Sequence, residues 1–186
     1  MKKAIIVEPE IPENTGFIAR LAANFGFDLR MVNPGFNLSE ARQTASNAQR
    51  KLREAEIFDS VEEAVEDLDY VVGTKPGRGP EVSDFESREN TSVMIGRESS
   101  GLSSGELELC DAVVHVDTGS YSSINQSHAA AILFHSMREP DGRGVSMDQK
   151  RVIENLLPEK TFETLMEANP SREKIEAILG EIKSDS

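Results

Sequence analysis

Short apolar runs alternate with segments whose apolar residues recur at helical spacing, from the first residues to about Met137. That alternation predicts a parallel sheet covered by helices. Ala4–Val7 reads as a first buried strand. From Asn14 to Phe25 the residues Phe17, Ile18, Leu21, Ala22 and Phe25 fall at helical spacing, and Gly26 supplies a stop. Leu29–Val32 is a second strand, closed by the turn signal Asn33-Pro34-Gly35. A second helix is expected within Ser39–Glu56, with Ala41, Ala45, Ala48, Leu52 and Ala55 on its inner side. Ser60 with Glu63, and Ser103 with Glu106, are capping-box patterns that open two short helices. Tyr70–Thr74, Val93–Gly96 and Ala112–Val116 read as further strands. A last core helix is expected from about Ile124 to Met137, ending before Pro140.

Residues 1–140 therefore read as one α/β domain. Asp141–Gly144 looks like a connector. Beyond it Ser146 with Gln149 opens a helical stretch, Pro158 interrupts it, and Pro170-Ser171 precedes a last helix at about Arg172–Ile182. A segment of this size, 141–186, is too short for a core of its own, so a helical extension is expected.

The chain of 186 residues needs no disulfide or metal staple, and its one cysteine can form no internal bridge. No apolar run approaches the ~20 residues of a membrane span. The opening MKKAIIVEPE turns acidic without a signal-peptide core. The expectation is a cytoplasmic protein. Net charge is −13, which argues against a polyanionic partner, but the imbalance is local. Basic residues outnumber acidic ones eight to five in residues 1–53, whereas residues 54–90 carry twelve acidic against three basic. A basic cluster, Arg42, Arg50, Lys51 and Arg53, thus survives in the first third and keeps a nucleic-acid-binding face open, and the acidic remainder suits a solvated surface in concentrated salt.

Two segments carry chemistry. Asn14-Thr15-Gly16-Phe17-Ile18-Ala19-Arg20 leaves the first strand and enters the first helix. Asn14 there can cap free backbone N–H groups, and Gly16 permits close approach. Arg20 is either a side chain whose stem packs and whose head reaches water, or a guanidinium aimed at a phosphate or a reacting hydroxyl. The second segment pairs Ile95-Gly96-Arg97-Glu98-Ser99-Ser100-Gly101-Leu102 with Gly119-Ser120-Tyr121-Ser122-Ser123-Ile124-Asn125-Gln126-Ser127. Both follow predicted strands, at the sheet edge where open α/β folds place their ligand crevice. The plainer alternative is two polar loops, with Ser123 capping the last core helix. His115 sits inside a strand, while His128 and His135 share a helix face without Cys or acidic residues at ligand spacing, so no metal site is expected. No hydrolase triad is expected, no P-loop is present, and Cys110 reads as a small core residue.

The order strand, N-x-G-x-x-x-R helix, strand ending V-N-P, V-V-G-T strand, I-G-R-E-S-S-G-L, then Y-S-S-I-N-x-S-H-A resembles the SPOUT class of RNA methyltransferases. Within it the chain is most similar to the TrmH/TrmJ-type ribose 2′-O-methyltransferases, and the short helical tail to the archaeal TrmJ branch. The resemblance spans about Lys3 to Met137. It implies a parallel α/β sheet whose C-terminal part threads a deep trefoil knot, an exception to the usual avoidance of threaded loops. It implies S-adenosyl-L-methionine bound by Thr74, Lys75, Pro76, Gly96, Glu98, Val116, Ser122, Ser123 and Ile124. It implies a catalytic group of Arg20, Asn14, Ser123 and Asn125, in a homodimer where Arg20 completes the partner's site. The implied substrate is tRNA, at the cytidine of position 32. Position 34, an rRNA site, methylation of a base nitrogen, or a non-catalytic RNA-binding or assembly dimer remain alternatives.

Overall fold

The computed structural model describes residues 2–120, 123–138, 147–167, 175 and 177–180. Six strands, β1 (Lys3–Val7), β2 (Asp28–Val32), β3 (Glu56–Phe58), β4 (Val71–Thr74), β5 (Ser92–Ile95) and β6 (Ala112–Val114), build one sheet. Their order is β3-β2-β1-β5-β4-β6, and every pairing is parallel. The intervening helices are α1 (Pro12–Phe25), α2 (Arg42–Ala45), α3 (Gln49–Arg53), α4 (Val61–Val65), α5 (Ser104–Glu108) and α6 (Gln126–Met137).

Side-chain alternation along the strands divides the core between two faces. Ala4 and Ile6 of β1, with Leu29, Met31, Val72, Val93, Ile95 and Val114, pack with residues of α1, α2, α3 and α6. Ile5 and Val7, with Val71 and Met94, pack with Val61 and Ala64 of α4 and Leu107 of α5. A sheet buried on both sides explains why its strands read as unbroken apolar runs. On the first face the rings of Phe27 and Phe134 stack with centroids 4.5 Å apart.

Contacts divide the chain into two compact units, Met1–Arg138 and Glu139–Ser186. The second contains α7 (Met147–Leu156) and α8 (Glu159–Glu167). Ser146 and most of the helix expected at Arg172–Ile182 lie outside the described residues. No helix among the described residues is long and apolar enough to cross a membrane.

Three local expectations are corrected. The single helix expected within Ser39–Glu56 is broken. Ser46, at φ 51, ends α2, a 3-10 turn follows over Ser46–Ala48, and α3 ends at Arg53. The break lets this segment seat against α1, where a Cβ on Gly16 would meet Thr44 Oγ1 at 2.0 Å and the Ala41 carbonyl at 2.4 Å. Glu56–Phe58 then extends as the edge strand β3 along β2. Second, Asn14 is no cap: α1 begins two residues earlier with Pro12, behind Ile11. Third, the residue capping α6 is Asn125 rather than Ser123, its Oδ1 accepting from the Ser127 N–H at 2.8 Å. Gly26 does end α1, at φ 76.

Candidate active site

Because β1 and β5 are neighbours in the sheet, the loops that leave their carboxyl ends run side by side. Strands β2 and β3 lie on one side of β1, and β5, β4 and β6 on the other, which makes this the switch point of the sheet. Carboxylates lace the two loops together. Glu98 accepts from the backbone N–H of Glu10 (2.9 Å) and of Ile11 (3.2 Å), and from Asn14 Nδ2 (3.1 Å). Glu10 in return accepts from the Ser99 N–H and from its hydroxyl, both at 2.8 Å. Arg97 bonds Glu8 through Nε at 2.7 Å and Glu106 through the two terminal nitrogens at 3.1 and 2.9 Å. These bonds raise the Arg97 pKa and, chiefly through the Arg97 hydrogen bond, hold the Glu8 carboxyl below its ordinary value. Burial pushes Glu106 up, but hydrogen bonds from Arg97 and the Ser103 N–H outweigh it, and the net shift is downward. Glu8 and Glu10 belong to no motif, and nothing in the sequence signals their role.

Beside this lacing lies a cavity of about 280 Å³. Of the residues expected to hold a cofactor, Thr74, Pro76, Gly96, Glu98, Val116, Ser123 and Ile124 all line it, although they come from three separate segments, those at and after the ends of β4, β5 and β6. Lys75 is not in its wall; its amine donates to the Leu102 carbonyl at 3.2 Å. Ser122 lies outside the described residues. A Cβ on Gly96 would sit 2.2 Å from the Gly101 carbonyl carbon, so this loop closes only over glycine. Ile95, Arg97, Ser99, Ser100, Gly101, Gln126 and Ala129 complete the wall; all of them fall within the quoted motif segments, which assign them no contact.

A second cavity, of about 380 Å³, is lined by Asn14, Arg20 and Asn125 together with Phe17, Leu21, Asn24, Ser127, His128 and Ala131. Arg20 is exposed, and no ion pair or hydrogen bond holds its guanidinium among the described residues. A chain of hydrogen bonds runs from Glu98 in the first cavity to Asn14 and Asn125 in the second. Asn125 Nδ2 donates to Asn14 Oδ1 at 3.0 Å, and Asn14 Nδ2 donates to Glu98. Asn125 Oδ1 meanwhile accepts from the N–H and hydroxyl of Ser127. Every atom in this chain has one permitted role, because a carboxylate only accepts and a backbone N–H only donates. The amide orientations of Asn14 and Asn125 follow. Asn14 is 5% exposed, so its bonds are well shielded from water.

The four basic residues of the proposed RNA face are unequal. Lys51 is paired with Asp28 at 2.7 Å and Arg50 with Glu54 at 2.7 Å, whereas Arg42 and Arg53 are exposed and have no ion pair among the described residues. No group of three or more His, Cys, Asp or Glu able to hold a metal occurs among the described residues. Cys110 is half-buried, and burial pushes its thiol up to about 12, which leaves it unreactive at neutral pH.

The family model described as "SpoU rRNA Methylase family" matches residues 2–135, nearly the whole of the first unit. The chain belongs to that family. It is 32% identical over 165 residues to the tRNA (cytidine-2′-O-)-methyltransferase TrmJ of Methanocaldococcus jannaschii, covering 80% of this chain and 72% of that protein. The crystal structure of TrmJ from Z. mobilis ZM4 superposes with a TM-score of 0.67 at 24% identity, over 99% of this chain and 98% of that one. The SpoU methyltransferase AviRb from Streptomyces viridochromogenes, solved in complex with AdoMet, matches with a TM-score of 0.64 at 25% identity, over 73% of this chain and 56% of that one. Membership of the SpoU family and the parallel six-stranded sheet agree with what the three sequence motifs implied.

Proposed function

We propose that this SpoU-family chain is an S-adenosyl-L-methionine-dependent RNA methyltransferase that acts on the ribose 2′-hydroxyl of tRNA. The observation that carries this reading is the hydrogen-bonded wall Glu98–Asn14–Asn125–Ser127, which joins a pocket fit for a cofactor to a pocket holding an unpaired arginine.

The first cavity suits the cofactor. Thr74, Pro76, Gly96, Val116, Ser123 and Ile124 supply apolar surface, backbone groups and two hydroxyls, and Gln126 keeps a buried amide oxygen without a partner among the described residues. Bound there, S-adenosyl-L-methionine supplies a methyl group on a positively charged sulfur. The protein's task is to bring a poor nucleophile, a neutral ribose hydroxyl, into line with that methyl and to stabilise the charge that develops on its oxygen. Arg20 serves this second need. Its guanidinium stays protonated and so is no base, but it can hold a neighbouring phosphate and donate to the oxygen as it becomes an alkoxide. Asn14 and Asn125 fix the wall from which the ribose is presented, and Ser123 stands at the mouth of the cofactor pocket.

The finer reading is a homodimer in which Arg20 completes the partner's site. Phe17 and Ile132, 42% and 37% exposed on α1 and α6, give that face apolar surface to cover. The loops around the cofactor pocket form the deep trefoil knot of the class, and the exposed pair Arg42 and Arg53 grips RNA phosphate. The target is cytidine 32, the position that the resemblance of the motifs implies; the TrmJ relative of Methanocaldococcus jannaschii is named for cytidine.

The test is methyl transfer from labelled S-adenosyl-L-methionine to unmodified tRNA transcripts across a range of KCl, followed by nuclease mapping. A 2′-O-methylated cytidine at position 32 is expected. Transfer at position 34 or to rRNA alone would replace the substrate, and cofactor binding without transfer to any RNA would favour a non-catalytic binding dimer.

A further inference from the structure

Gln126 is the first residue of α6 and is 6% exposed. It lines the same cavity as Gly96, Val116 and Ile124. Its Nε2 donates to the Gly96 carbonyl at 2.8 Å. That bond fixes which way the amide faces, since the reverse orientation would set two oxygens against each other. The remaining atom, Oε1, is buried and has no hydrogen-bond partner among the described residues. A dry, unpaired amide oxygen is costly, and native proteins keep one chiefly where something else supplies the donor.

We propose that Gln126 Oε1 accepts a hydrogen bond from the exocyclic amine of the cofactor's adenine, and thereby selects adenine over a deaminated base. The inference rests on the cofactor reading given above. S-adenosyl-L-methionine carries three kinds of donor, namely the adenine amine, the ribose hydroxyls and the charged ammonium. The cavity's lining offers Glu98 and the hydroxyls of Ser99 and Ser100, partners suited to hydroxyls and a cation. It also offers Pro76, Ile95, Val116, Ile124 and Ala129, apolar surface of the kind a purine ring fills. A neutral amide oxygen in that setting matches a neutral aromatic amine. A site built to satisfy such a group discriminates strongly against an analogue that cannot, because the buried partner is then left unpaired.

Calorimetry on the full chain with two ligands tests this: S-adenosylhomocysteine, and S-inosylhomocysteine, whose C6 amine is replaced by a carbonyl. The wild-type protein is expected to bind the deaminated ligand at least ~30-fold more weakly. Gln126→Met should bind S-adenosylhomocysteine roughly 10-fold more weakly while changing little toward S-inosylhomocysteine, so that discrimination collapses to a few-fold. Equal loss for both ligands would overturn the proposal, since Gln126 would then act only by bracing Gly96. If the variant unfolds, the wild-type comparison decides alone, and equal affinity for the two ligands overturns it. A wild-type protein that binds neither ligand defeats the cofactor reading itself, an outcome distinct from binding both equally.

Discussion

Glu10 and Glu98 cap each other's loop: the Glu98 carboxylate takes the Glu10 backbone N–H, and the Glu10 carboxylate takes the Ser99 backbone N–H. Two acidic side chains thus hold together two loops rather than repelling them, because each spends its charge on donors of the opposite loop. Charge-assisted bonds to backbone N–H groups are among the stronger hydrogen bonds in proteins.

Glu98→Ala removes the acceptor for three donors at once. A loss of about 1–3 kcal/mol is expected, with weaker cofactor binding, while Glu98→Gln should lose less because its carbonyl still accepts. Thermal melts and calorimetry read both, and unchanged values in the alanine variant would show that the lacing is dispensable.

Arg20→Ala should cut turnover roughly 10²–10³-fold and leave cofactor affinity nearly intact, as for loss of one donor to developing charge. Single-turnover methyl transfer with calorimetry separates the two. A matching fall in cofactor affinity would assign Arg20 to binding instead.

Gly96→Ala places a methyl group against the backbone of Gly101 and Leu102, neither of which can swing aside. The expected result is a folded but less stable protein, by about 1–3 kcal/mol, with cofactor binding abolished. Retained binding would mean that the loop can open without loss.

Acid should weaken the fold through the Arg30 cluster. Arg30 is 4% exposed and forks onto Asp67, and the hydrogen bond from it holds the Asp67 carboxyl down to about 2. A carboxyl depressed in the folded state stabilises above its unfolded pKa, and that contribution fades as pH falls from ~4 toward 2. Asp67 itself is 66% exposed, so its share is under about 1 kcal/mol after solvent screening. Asp67→Asn should therefore melt below wild type at pH 7 and alongside it near pH 2. A gap of constant size across that range would exclude the ion pair as its cause.

Replacing Arg42 and Arg53 together with serine should weaken tRNA binding and reduce the slope of log K against log salt by about 1–2. Arg50→Ser and Lys51→Ser should do less, since both cations are already paired. Filter binding at several KCl concentrations measures this, and identical slopes would move the RNA face elsewhere.

The strands were legible because both faces of the sheet are buried, so each appears as an apolar run whatever its position. Capping residues told the start of α5, where Ser103 and Glu106 form the full reciprocal pair. What the pattern hid was set by tertiary packing. The kink at Ser46 answers to Gly16 on another helix, and β3 exists because β2 offers it an edge. In the site, the glycine and serine motifs pointed to the cofactor cavity, since small residues at strand ends admit a ligand. The carboxylates Glu8 and Glu10 were invisible because their partners lie nearly ninety residues away, and Gln126 hid inside a motif as a placeholder position.

The adjacency of β1 and β5 also shapes how the chain can fold. Ala4 lies opposite Val93, yet β4, made earlier on the ribosome, reaches the sheet only through β5. Strands β1 to β3 can assemble as soon as they emerge, leaving one side of β1 open while about 35 further residues are synthesised. That open side is a bare edge of Ala4, Ile5 and Ile6, the kind of surface that recruits other strands. β5 is the seam whose arrival joins both halves, and such long-range closure is slow. The arrangement that brings the two catalytic loops together is thus bought with an interval of vulnerability during synthesis.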